Sequence, residues 1–108
     1  LKERLGWEDT DLVSTFQSRF GPEEWLKPYT VDHVAELAKQ DKRNIAVVAP
    51  AFSADCIETL EEINEEIRES FEEAGGEVFE YIPCLNDSDD HIEALSTIVQ
   101  DNLKGWLD

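Results

Sequence analysis

The stretch NIAVVAPAFSADCIETLEEINEEIRESFEEA, residues 44–74, decides the fold. It opens as a strand, turns at AFSAD and continues as a long helix loaded with glutamate. Ile45, Ala46, Val47 and Val48 form an unbroken apolar run ending at Pro50, the pattern of a strand covered on both faces. Ser53 or Asp55 supplies an N-cap, and Gly75-Gly76 supplies a stop. At about 100° per residue around a helix axis, Ile57, Leu60, Ile63, Ile67, Phe71 and Ala74 share one face. Glu58, Glu62 and Glu66 then line the opposite face, and Glu61, Glu65, Glu69, Glu72 and Glu73 broaden it. The carboxylates therefore follow the carboxyl end of a strand, where open parallel sheets bind their ligands.

Working outward, residues 77–83 alternate Val78, Tyr81 and Ile82 into a later strand. Residues 84–90, CLNDSDD, form a turn in which Asp87 or Ser88 caps a last helix over residues 91–103. Its apolar side carries Ile92, Leu95, Ile98, Val99 and Leu103. Upstream, Thr30 caps a helix over residues 31–40 with Val34, Leu37 and Ala38 inward. Residues 12–17, LVSTFQ, have the β-branched and aromatic content of a first strand. Between them, residues 18–29 make a loop broken by Gly21-Pro22 and Pro28, long enough to suggest a functional role. LKERLG at the start resembles the final turns of a helix closed by Gly6, so Leu1 is expected not to be the natural start. The order β-α-β-α-β-α predicts one α/β domain, a three-layer α/β/α Rossmann-like unit with a parallel sheet.

The chain has 108 residues with 26 acids and 9 Lys or Arg, a formal net charge of −17. Such acidity disfavours nucleic acid and anionic membrane surfaces as partners, because both repel it. No apolar run reaches the roughly 18 residues a membrane span needs, so at most peripheral membrane contact is expected. Cys56 and Cys84 form neither a disulfide framework nor a metal knuckle, which points to a reducing compartment and a cytoplasmic location.

Glu58, Glu62 and Glu66 carry the first candidate chemistry. An acidic face opposite an apolar one is commonly a solvated surface, and Glu58 three residues after Asp55 fits a capping box. Against that, like charges at i, i+4 and i+8 cost helix stability, and only Arg68 offsets them within the helix. A row of this kind can pass protons or hydrated cations along a helix. Cys56, in the first helical turn, has the dipole environment of a nucleophile but also the size of a packing residue. Trp25 sits in the long loop with Phe20 and Tyr29, either as a small satellite core or as a platform for a flat ring. His33 and His91 have no second histidine at metal-ligand spacing and read as surface residues.

Three blocks together resemble the carboxyl-terminal half of the ferrochelatase family, bacterial type: FQSRFGPEEWLKPYT (residues 16–30), PAFSADCIETLEEINEE (50–66) and YIPCLNDS (81–88). The resemblance covers nearly the whole chain. It implies a haem-biosynthetic lyase that inserts ferrous iron into protoporphyrin IX to give protohaem. The family fold is two chelatase-like lobes with the porphyrin between them, and this chain resembles the second. Glu58 matches the glutamate facing the metal-insertion centre, as iron ligand or proton acceptor. Glu62 and Glu66 match the acidic row leading away from it. Trp25, Phe52 and Asp55 match residues of the porphyrin pocket.

The resemblance also names what this chain lacks. The family's essential histidine belongs to the amino-terminal lobe, and neither His33 nor His91 matches its motif. The piece alone is therefore expected to fold without catalysing. Cys56 stands where animal members have histidine, a familiar bacterial variant. No iron–sulfur cluster is expected, since Cys84 alone cannot hold one. The alternatives are a cobalt or nickel chelatase, a single-lobe tetrapyrrole or metal carrier, and a hydrolase using Cys56.

Overall fold

Asn44–Val48 is strand β1 and Val78–Ile82 is strand β2, paired in parallel with Val47 opposite Tyr81. The structure is a computed structural model that describes residues 1–8, 12–17, 24 and 26–106. The helices are α1 (Lys2–Leu5), α2 (Thr30–Lys39), α3 (Arg68–Glu73) and α4 (Asp89–Asn102). A π-helical segment, Glu58–Ile67, runs directly into α3. The α/β class and the parallel pairing agree with the sequence.

The two strands bury one face only. Ile45, Val47, Phe79 and Tyr81 point into the core, whereas Ala46, Val48, Val78 and Ile82 are exposed. The apolar run of β1, expected to be covered on both sides, is covered on one. Over the buried face lie α2, through Val34 and Ala38, and the long helix, through Ile63, Ile67 and Phe71. The Phe71 and Phe79 rings meet with centroids 5.9 Å apart and tilted by 54°, a favoured aromatic geometry. Helix α4 begins after Ser88 as expected but buries no residue, so Ile92, Leu95, Ile98, Val99 and Leu103 are all exposed.

The long helix differs from a 3.6-residue winding. Its buried residues are Thr59, Ile63, Ile67 and Phe71, one every fourth position. A π-helix bonds i to i+5 and so makes a turn in roughly four to five residues, which keeps that spacing in register. Ile57 and Leu60, expected inward, are 66% and 51% exposed. Glu58, Glu62 and Glu66 each precede a buried residue by one position. They flank the core stripe and do not oppose it, a correction to the wheel.

Arg68 does not relieve the acidic row as expected. Its guanidinium donates to the Phe79 carbonyl at 2.6 Å and to Asn64, and lies over the Phe79 ring at 4.9 Å. The helix then ends in a Schellman motif: Gly76 N–H bonds to the Phe71 carbonyl and Gly75 N–H to that of Glu72. Gly75 has φ +105°, a left-handed conformation that glycine adopts without Cβ strain.

The strand expected at residues 12–17 is absent. Only Phe16 pairs, through a single parallel bridge to Tyr29 in which Phe16 N–H donates to Pro28 and Thr30 N–H to Phe16. Thr15 and Thr30 share a hydroxyl–hydroxyl bond of 2.7 Å beside it. The segment is thus pinned to the start of α2 without joining the sheet.

Candidate active site

Because β1 and β2 are parallel, the turns after Val48 and Ile82 emerge at the same sheet edge. The sequence then ties those turns together through Asp55 and Asn86. Asn86 N–H donates to the Ser53 carbonyl at 3.0 Å, and Asp55 N–H donates to Asn86 Oδ1 at 2.8 Å. In return Asn86 Nδ2 donates to Asp55 Oδ2 at 2.9 Å. Asn86 has φ +52°, a left-handed conformation that Asn tolerates better than most residues.

The other carboxylate oxygen, Asp55 Oδ1, accepts from the Tyr81 hydroxyl at 2.7 Å and the Thr59 hydroxyl at 2.9 Å. Asn86 and then Tyr81 hold the Asp55 carboxyl well below the usual carboxylate range, against a smaller opposing effect of desolvation. Burial, then Cys84 and Asp55, pushes the Tyr81 phenol up, so it stays a donor. The expected D-x-x-E capping box is not formed. Fully buried Thr59 instead takes the Cys56 N–H at 2.9 Å, doing from inside the helix what a cap does from outside.

His91 is half-buried, a correction to its surface reading. Its Nδ1 lies 2.6 Å from the Asn86 carbonyl and its Nε2 lies 3.1 Å from Ser53 Oγ. A carbonyl only accepts, so Nδ1 carries the hydrogen, and the ring joins α4 to the two turns. His33 is also half-buried, on α2, and its Nε2 is buried with no hydrogen-bond partner among the described residues.

The acidic row starts directly beyond this clasp. Glu58 is half-buried, and hydrogen bonds from the Cys56 side chain and then its own backbone hold its carboxyl below the ordinary value. Glu58 is therefore an ionised acceptor at neutral pH. Cys56 itself is half-buried, and its backbone N–H donates to the Thr59 hydroxyl. Glu62 is half-buried and its Oε2 accepts from Gln17 Nε2 at 2.7 Å. Glu66 is exposed. The row thus runs from two half-buried carboxylates to an exposed one.

Phe52 is half-buried in the turn before Asp55. Trp25 lies outside the described residues. Among the described residues no three His, Cys, Asp or Glu side chains converge to hold a metal ion, and no helix is long and apolar enough to cross a membrane. Gln17, Thr59, Tyr81 and Asn86 were not singled out by the sequence, although the turn-forming cluster around Asn86 marked its neighbourhood.

The ferrochelatase family profile matches residues 1–103. A ferrochelatase of Rhodobacter capsulatus is 67% identical over 108 residues, covering 100% of this chain and 31% of that protein. One from Marinobacter nauticus is 57% identical over 106 residues, 98% of this chain and 29% of its own length. One from Allorhizobium ampelinum is 56% identical over 107 residues, 99% of this chain and 31% of its own length. The chain therefore spans somewhat under a third of the curated relatives it matches. No solved structure matches the chain at a significant level.

Proposed function

The chain belongs to the ferrochelatase family, and from that premise we propose that its parent protein inserts ferrous iron into protoporphyrin IX to make protohaem. In this reading the chain is the second, carboxyl-terminal lobe of a two-lobe lyase of the cytoplasm, and iron is a substrate. Its partners are the porphyrin and the amino-terminal lobe, with at most peripheral contact to a membrane.

The observation that carries the reading is the graded acidic row. Metal insertion releases two pyrrole protons, so a base must stand near the ring centre and a route must lead away from it. Glu58 supplies a half-buried carboxylate at the first position of the helix that follows the turn after β1. Glu62 and Glu66 continue the route to an exposed end. A planar porphyrin also hides its nitrogen lone pairs from an incoming ion. Contacts remote from the nitrogens must bend the ring, and binding energy supplies that distortion. Phe52 and Trp25 are assigned to that pocket. Asp55, its oxygens engaged by its own chain, acts there by shaping the turn that carries Phe52.

The test is zinc and ferrous insertion into protoporphyrin, followed by visible absorbance, with the full-length protein and with the 108-residue chain alone. Turnover by the full-length protein and none by the chain alone is expected. Porphyrin binding without insertion by the full-length protein would favour a carrier instead.

A further inference from the structure

We propose that Gln17 is a positioning residue of the insertion site, locking the Glu62 carboxylate and the first turn of the π-helical segment into one geometry. This rests on the reading of Glu58 and Glu62 given above. Gln17 Nε2 donates to Glu62 Oε2 at 2.7 Å and also to the backbone carbonyl of Glu58. A primary amide has two hydrogens on that nitrogen, so both bonds form at once. The side chain therefore grips two successive members of the acidic row, one by its carboxylate and the other by its main chain.

The residue type suits the task. Both targets only accept hydrogen bonds, so the gripping group must be a double donor. A lysine or arginine would place a fixed cation against a carboxylate that has to take up protons. A glutamate would repel it. A neutral amide orients Glu62 and commits one of its oxygens without neutralising its charge.

The fold also holds Gln17 still. It is half-buried and follows Phe16, whose N–H and carbonyl are bonded to Pro28 and Thr30 at 2.9 and 3.1 Å. The Thr15–Thr30 hydroxyl pair adds a third tie to a buried residue at the start of α2. A segment that contributes no strand to the sheet is thus anchored next to a side chain that reaches the acidic row from outside the helix.

A double-mutant cycle in the full-length protein tests this, using zinc insertion kinetics for wild type, Gln17→Leu, Glu62→Ala and the double variant. Gln17→Leu is expected to lower kcat about tenfold, the scale of a lost orienting hydrogen bond, with KM for porphyrin within about twofold of wild type. In the Glu62→Ala background the same change is expected to cost less than about threefold, because only the bond to the Glu58 carbonyl is left to lose. An unchanged kcat in Gln17→Leu overturns the proposal. So does an equal loss in both backgrounds, which would mean that Gln17 acts on substrate or on folding independently of Glu62. Thermal midpoints of the four proteins separate these cases. Absence of insertion in wild type would remove the function itself, and a coupling seen only in the thermal midpoints would then leave Gln17 a structural tie.

Discussion

Asp55 accepts hydrogen bonds from Tyr81, Thr59 and Asn86, and each of these donors stabilises its ionised form over its protonated one. Its folded pKa is therefore depressed below the unfolded value. The stability this contributes is present above the ordinary carboxylate pKa of about 4 and is lost as pH falls from there toward the folded value. In thermal scans from pH 6 down to pH 3, wild type is expected to lose more of its midpoint than Asp55→Asn does, although the variant starts lower. Parallel curves would remove the clasp from the account. How much of this was legible in sequence differs residue by residue. The turn position of Asp55 was visible locally. Its partners were not, because Tyr81 and Asn86 lie 26 and 31 residues away and meet it only through strand register. Gln17, 45 residues from Glu62, left no local signal at all.

At the scale of elements, the long helix shows what a fixed period conceals. Thr59, Ile63, Ile67 and Phe71 stand four apart in the sequence, but a 3.6-residue wheel assigns the stripe to Ile57 and Leu60 as well. The strict spacing of four was the available signal of a wider winding. The helix stop was legible in full, since Gly75-Gly76 forms the motif it suggests. The two glycines have different reasons to be glycine. A Cβ on Gly76 would lie 2.2 Å from the ring of fully buried Phe71, whereas one on Gly75 would meet nothing within 4 Å among the described residues but would sit at positive φ. Gly76→Ala is expected to destabilise by about 1–3 kcal/mol, as overpacking does, and Gly75→Ala by about 1 kcal/mol. Denaturant midpoints of the two variants check the order; a larger loss at Gly75 would contradict the packing argument. The strand expected at residues 12–17 failed for a general reason. β-branched content makes a strand only where a neighbouring strand pairs with its backbone, and among the described residues of this segment only Phe16 forms a bridge.

At the scale of the molecule, the sheet's second face and the whole apolar side of α4 are open. The radius of gyration is 17.2 Å, against about 13 Å for a compact chain of this length. Those features accord with a chain that spans under a third of its relatives. The class of fold was legible because it lives in one contiguous strand–turn–helix, the same stretch that carries Glu58, Glu62 and Glu66. The number of strands and the cover of each face depend on partners that contiguous sequence does not display. The central claim, that the carboxylate nearest the sheet edge does the chemistry and the row serves it, is tested most directly by iron insertion in the full-length protein, Glu58→Gln beside Glu66→Gln. Loss of a base in the transition state predicts a fall of at least about a hundredfold in kcat for Glu58→Gln and of less than about tenfold for Glu66→Gln. Unchanged insertion by Glu58→Gln would contradict the claim and leave Glu58 as part of the helix start alone.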